Sequence, residues 1–386
     1  MKKIGDVFTL IRNGASIKQY DNASGLPITR IETISNKFID REKMGYADVV
    51  DDGKYDDYIL QDGDILMSHI NSEKHLGKVA LYNKFGEEKI IHGMNLLVLR
   101  ADMNCIIPKY ARLYFESDLF LRQIATITKK SVNQASFSLT ALKELNIICP
   151  DIDVQRGVVA KLEKIEALIG HRKQQLQKLD ELVKARFVEM FGQKEIEHIE
   201  LGRLSDFVTV GIANSATQAY SDSGIVMFRN QNIKENYLDD SDLVYIDEEF
   251  ANKYKNKKLK AKDILVIRTG YPGVACLVPS KYEGMQTFTT LIVRLKKDID
   301  VLPEFVCHYI NSERGKSFVR DNQAGCAQQN FGATALSKMP IPIYSIDKQN
   351  EFLSFAQQID KSKLSVQKSL DKLEILKKAL LQKYFG

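Results

Sequence analysis

The chain has 386 residues, of which 44% are hydrophobic and 27% charged, and its formal net charge is +5. These values describe an ordinary folded protein of two or three domains and exclude a disordered chain. So mild a positive charge permits nucleic acid as a partner without requiring it.

The five cysteines, Cys105, Cys149, Cys276, Cys307 and Cys326, are odd in number and form no CxxC pair, which fits a reduced compartment. The N-terminal stretch MKKIGDVFTLIRNGAS lacks a sustained apolar run, and no stretch approaches membrane-spanning length. The expected location is therefore the cytoplasm, with no membrane partner.

Residues 1–150 form the first globular unit. It opens at Ile4-Gly5-Asp6-Val7 and continues with short apolar runs between turn residues: ITRIETI at 28–34, DILM at 64–67, KVALY at 78–82 and NLLVLR at 95–100. Their length and their Ile, Leu and Val content predict strands. Pro108 suits a first helical turn, so a helix is expected over 108–121, with a further short one near Thr140 before strand-like LNIICP.

A long helix follows, in the region 151–194. Its apolar residues Leu162, Ile165, Ile169, Leu176, Leu179, Val183 and Met190 recur at three- and four-residue steps and make one stripe. Gly170 weakens its middle by about 1 kcal/mol relative to Ala. Gly192 stands where a helix end favours a left-handed residue, as does Gly386 further on.

Residues 195–344 repeat the plan of the first unit. IVMFRNQNI at 225–233 answers ITRIETI and sets Arg229 against Arg30. KDILVIRTGYPGVACLV answers GDILMSHINSEKHLGKVALY, PEFVCHYINS answers PKYARLYFES, and QQNFGATAL answers QASFSLTAL. A second long helix, in 345–386, repeats the first at a constant offset of 194, from Gln155 with Gln349 to Phe191-Gly192 with Phe385-Gly386. Its stripe includes Ile359, Val366, Leu370 and Leu373. An echo of this length at fixed register is an internal duplication. About 37 residues at 1.5 Å each make a rod of roughly 55 Å, longer than a small domain is wide. Each rod needs a long apolar partner, and the other rod is the nearest, giving an expected antiparallel pair.

Taken together, the ordered motifs, the closing strands LNIICP and MPIPIY, and two helices ending in Phe-Gly resemble the specificity subunit of a type I restriction–modification system. The resemblance covers essentially the whole chain. It implies an α+β fold with two similar mixed α/β target-recognition domains, 1–150 and 195–344. Two long helices, 151–194 and 345–386, would join them as an antiparallel coiled coil with pseudo-two-fold symmetry. It also implies a non-catalytic subunit that reads a bipartite, asymmetric site in double-stranded DNA and docks two DNA-methyltransferase subunits, and through them restriction subunits. Two half-sites one DNA turn apart, roughly 34–36 Å, would suit such a spacer.

The candidate DNA contacts are polar residues next to strand ends and glycines. Arg30 and Arg229 could grip guanine or phosphate, or form structural ion pairs. Asn230, Gln231 and Asn232 could read adenine's edge or cap a turn. The loops after the DIL strands offer His69, Asn71 and Lys74 in the first unit and Arg268, Thr269 and Tyr271 in the second, beside Gly77, Gly270 and Gly273, or else are plain hairpin turns. Lys129, Lys130, Asn133, Gln134, Gln328, Gln329 and Asn330 complete the set, with solvated loop as the alternative. Near the helix ends, Phe187, Met190, Phe191, Leu380, Tyr384 and Phe385 could face a methyltransferase subunit or pack internally.

No catalytic residue, metal or cofactor is expected. The chain lacks the Asn- or Asp-Pro-Pro-aromatic tetrad of amino-methyltransferases, a Gly-x-x-x-x-Gly-Lys phosphate loop, and any His/Cys metal spacing. Asp64 with Glu87-Glu88-Lys89 meets a permissive nuclease spacing, but Glu283-Gly284-Met285 in the second unit lacks the lysine. Two alternatives stand: a restriction enzyme or methyltransferase with a diverged active site, and a coiled-coil adaptor for proteins.

Overall fold

The structure is a computed structural model, and it describes residues 1–21, 25–34, 39–131, 134–192, 196–213, 219–323 and 330–386. It divides into two compact units, Met1–Gln174 with Val366–Gly386, and Gln175–Ser365.

In the first unit an antiparallel sheet carries, in spatial order, Phe8–Asn13, Leu96–Ala101, Ile65–Ser68 and Val79–Leu81. Both its faces are covered. Ile65, Met67, Leu97 and Leu99 pack with Tyr110, Tyr114, Phe115 and Phe120, whereas Leu66, Val98 and Leu96 pack on the other side with Ile34, Leu60, Tyr82 and Ile90. That double burial is why these strands read as unbroken apolar runs rather than alternating ones. The second unit repeats the order with Ser205–Val210, Leu291–Leu295, Ile264–Val266 and Ala275–Leu277. Ile264 and Val266 face one core there, and Leu265 and Ile292 face another.

The aspartate of each DIL strand is buried and gripped by an arginine from the neighbouring strand. Arg100 Nε and Nη2 donate to Asp64 at 2.8 Å each. Arg294 repeats the fork on Asp263 at 2.8 and 2.6 Å. In both, the second carboxylate oxygen also accepts a backbone N–H from three residues earlier, Gln61 or Lys260.

Several elements differ from the sequence expectation. Over ITRIETI the strand stops at Ile28 and Ile31–Ile34 turn into a short 3-10 helix, because the Thr33 hydroxyl accepts the Arg30 N–H at 2.8 Å. Asn232 does the same for Arg229 at 2.9 Å. A local side-chain acceptor here outcompetes the sheet ladder. The helix expected over 108–121 is two helices, Pro108–Phe115 and Asp118–Ile127, since Ser117 caps the second by accepting from Phe120 N. The later short helix is Leu139–Glu144, capped by Ser138.

The long helices run Ile152–Phe191 and Ile346–Phe385. Within the first unit, Lys377 Nζ pairs with Glu166 at 2.5 Å and Lys173 with Glu374 at 3.5 Å. Within the second, Lys363 pairs with Asp180 at 2.6 Å and Arg186 with Glu351 at 2.7 Å. In each unit the numbers rise on one helix as they fall on the other, so the pairing is antiparallel. Of the stripe residues, Leu162, Ile165, Val366 and Leu370 are buried, Leu162 within the first unit's core, and Leu176, Leu179, Val183, Ile359 and Leu373 are half-buried. Among the described residues, no helix is long and apolar enough to cross a membrane.

Each helix begins with the same buried latch. Gln155 Oε1 accepts Ile107 N–H at 2.9 Å while its Nε2 donates to Cys105 O and Pro150 O at 2.9 and 2.7 Å. Gln349 accepts from Leu302 N at 2.9 Å and donates to Asp300 O and Tyr344 O at 2.9 and 2.8 Å. Gln349→Leu leaves Leu302 N–H and the Asp300 and Tyr344 carbonyls without their partner, so it should cost about 1–3 kcal/mol, read as a lower urea midpoint for the second unit.

The helix ends correct two expectations. Neither Gly192 nor Gly386 lies at positive φ. The last carbonyls of the first helix are satisfied instead by Tyr344 Oη donating to Phe191 O at 3.0 Å and Arg314 Nη2 donating to Gly192 O at 2.6 Å. A Cβ on Gly192 would stand 2.3 Å from Val188 O, which explains glycine there without a left-handed turn. Phe187, Met190 and Phe191 are core residues of the second unit, with Phe191 against Phe305 and Tyr344 at 4.9 and 4.8 Å. Phe385 is fully buried in the first unit between Tyr110 and Tyr114, and Leu380 and Tyr384 pack half-buried on the same core. Phe187, Met190, Phe191 and Phe385 are thus taken up by internal packing rather than offered to a partner.

Candidate nucleic-acid interface

In each unit the loop after the DIL strand is stitched to the strand of the QASF or QQNF motif. Phe137 N donates to His69 O at 3.1 Å, and Phe331 N donates to Arg268 O at 3.0 Å. One residue along, Ser136 pairs with Ile70 and Asn330 bridges Thr269. His69 and Arg268 therefore occupy equivalent positions although the loops differ in length. Gly77 and Gly273 close the two loops at φ of +69° and +92°, donating to Ser68 O and Ile267 O at 2.9 and 3.0 Å. A Cβ on Gly273 would meet the Val319 side chain at 2.9 Å, so the loop lies tightly on the helix beneath it.

In the first unit this stitching builds a small sheet in the order Lys129–Lys130, Ala135–Ser136, Ile70–Asn71. It brings the stretch of Asn71 and Lys74 to that of Lys129, Lys130 and Gln134, two parts of the sequence more than 50 residues apart. Asn71 accepts Ser72 N–H at 2.7 Å, Lys130 pairs with Glu73 at 2.7 Å, and Lys74 and Lys129 are exposed. His69 departs from the expectation: its ring is buried edge-on against Phe137, and burial lowers its pKa, keeping it neutral. It is a platform under the loop, not an exposed contact.

In the second unit Arg268 Nε donates to Asn330 Oδ1 at 2.8 Å, and Asn230 Nδ2 donates to Thr269 O and Oγ1 at 3.1 and 3.3 Å. Arg229 and Gln231 both reach Asp242 Oδ2, at 3.0 and 2.5 Å. Asn232 is buried and spends its amide on Asp239 O and Asp242 O at 3.0 and 2.8 Å, so it holds the turn together. Tyr271 stands 82% exposed between Gly270 and Gly273. Arg268, Thr269, Tyr271, Asn230, Gln231, Arg229 and Asn330 thus form one polar surface. Two of its buried atoms, Arg229 Nε and Asn230 Oδ1, have no partner among the described residues.

Arg30, matched to Arg229, is fully engaged: Nε with Gln19 Oε1 at 2.9 Å, Nη1 with Asp21 at 2.7 Å and Nη2 with Tyr20 O at 3.1 Å. Asn133, Gln328 and Gln329 lie outside the described residues. The nuclease-like spacing does not assemble, because Asp64 is taken by Arg100, Glu87 lies 3.8 Å from Lys84 and Lys89 pairs with Asp51 at 2.6 Å, while Glu88 between them is held by Arg41 at 2.5 Å. Arg41 and its hydrogen bonds hold the Glu88 carboxyl down to about 2.

The family model described as the type I restriction modification DNA specificity domain matches residues 1–181 and again 196–375. A Methanocaldococcus jannaschii protein named as the type I restriction enzyme MjaX specificity subunit is 40% identical over 199 residues, 51% of this chain and 46% of that protein. The EcoKI specificity subunit of Escherichia coli is 24% identical over 162 residues, 42% of this chain and 34% of that protein. The matches span less than half the length of these curated relatives. Among solved structures, a chain from a study of complex assembly and conformational transition in the type I R-M system superposes with a TM-score of 0.58 at 14% identity, covering 99% of this chain and 96% of that one. The type I S subunit from M. genitalium gives 0.51 at 12% identity, covering 100% and 95%. At these identities the structures speak for the fold, while two successive matches to one family model account for the duplication, and the chain belongs to the type I restriction modification DNA specificity domain family.

Proposed function

We propose that this chain is a non-catalytic recognition subunit that reads a two-part, asymmetric site in double-stranded DNA. In this reading residues 1–150 and 195–344 are its two target-recognition domains, and the long helices 151–194 and 345–386 are the spacer. One observation carries the proposal: the same backbone stitching presents different side chains in the two units, Asn71 and lysines in one, Arg268, Asn230 and Asn330 in the other. A retained frame with exchanged side chains is what reading two different half-sites requires. Two methyltransferase subunits, one per repeat, follow from the duplication by symmetry, and restriction subunits would join through them. The cytoplasm is where such a complex would meet DNA.

Arg268, its Nε fixed by Asn330, is the residue we assign to guanine, since a guanidinium fork matches O6 and N7. Arg268→Ala should weaken binding to the cognate duplex by about 1–3 kcal/mol and relax preference at one base pair. The test is to map methylated positions in cells carrying the chain, its Arg268→Ala variant, or neither. Methylation independent of the chain would reject the reading.

A further inference from the structure

One surface stretch reverses its charge between the repeats. Lys54 to Asp64, KYDDYILQDGD, and Lys253 to Asp263, KYKNKKLKAKD, align without a gap. The backbone agrees: Asp56–Tyr58 and Lys255–Lys257 are both single 3-10 turns, and Leu60 and Leu259 are buried behind them. Both stretches end on the aspartate gripped by arginine. Yet the first carries one lysine against four aspartates, and the second six lysines against one aspartate.

The two exposed faces therefore differ by far more than drift in a solvated turn. Two of the six lysines are paired, Lys253 with Glu249 at 3.1 Å and Lys262 with Glu304 at 3.0 Å. Lys257 is tied to Thr209 Oγ1 and Val210 O at 2.6 and 2.7 Å. Among the described residues, Lys255, Lys258 and Lys260 have no carboxylate within ion-pair reach. Self-repulsion among them is uncompensated, which a polyanion would relieve.

The stretch is also continuous with the proposed reading surface. Val210 and Val266 both register with Leu291, so they share one end of the sheet, and the Arg268 loop leaves from that end. Lys257 touches Val210, placing the start of the lysine stretch beside the loop. In the first unit the cation at this corner comes from the strand instead, with Arg12 over the Tyr58 ring at 4.0 Å.

Resting on the DNA-recognition reading, we propose that Lys255, Lys258 and Lys260 contact the phosphate backbone of duplex DNA next to the half-site read by the second unit, where the matching stretch of the first unit carries aspartates. It anchors without reading sequence.

The test is salt-dependent binding of the full chain to a random-sequence duplex of about 40 base pairs, long enough for full counterion release. Each lost contact should reduce the slope of log K against log salt by about 0.9, so Lys255→Gln with Lys258→Gln and Lys260→Gln should lower it by about 2 to 3. Affinity near 0.15 M salt should fall on the order of 100-fold. Lys178→Gln with Lys368→Gln and Lys372→Gln, exposed lysines of the long helices, should leave the slope in place. An unchanged slope in the first variant, or equal loss in both, overturns the phosphate contact while leaving DNA recognition standing. Absence of salt-dependent binding by the unaltered chain overturns both. Matching urea midpoints for the three proteins exclude misfolding as the cause.

Discussion

Asp263→Ala is expected to destabilise the second unit by about 3–5 kcal/mol. Its carboxylate is almost wholly buried and accepts from Arg294 Nε, Arg294 Nη2 and Lys260 N. Removing it leaves a guanidinium whose side chain is only 16% exposed without its counter-charge. Asp64→Ala should cost less, because Arg100 is 27% exposed and can turn partly toward water. Urea titration of both variants, with hydrogen exchange to assign the transition to a unit, checks the order. Equal losses would mean that solvent reach does not set the difference.

Phe385→Ala is expected to cost about 3–5 kcal/mol in the first unit, by lost transfer energy plus the cavity left between Tyr110 and Tyr114. The matched Phe191→Ala should act on the second unit instead, where Phe191 contacts Phe305, Tyr344 and Phe352. Hydrogen-exchange protection should fall in strands Ile65–Ser68 and Leu96–Ala101 for the first variant, and in Ile264–Val266 and Leu291–Leu295 for the second. The reverse assignment would contradict the packing described above.

The duplication, the strand set and the two long helices were legible because a fixed offset and apolar runs are properties of the sequence itself. The side-chain-closed turns were less so: Thr33 and Asn232 redirect the chain through one hydrogen bond each, which no apolar pattern encodes. Ser117 likewise splits a stretch whose periodicity reads as one helix. The stripe on each long helix announced burial but not against what, so Phe187, Met190, Phe191 and Phe385 were left open between partner and core. In the candidate site, glycines and polar residues marked the right loops, while His69 could not be told from an exposed contact. Its ring packs edge-on against Phe137, 68 positions away in sequence.

The placement of Phe385 bears on how the chain folds as it is made. The unit spanning Gln175–Ser365 is continuous, but the other needs residues from both sides of that insertion. At ~5–20 residues per second, roughly 10–40 s of synthesis separate residue 174 from residue 366. Throughout that interval Tyr110 and Tyr114 lack the ring that covers them, so the earlier-born half waits, with an open apolar seat, for the later-born half to be finished.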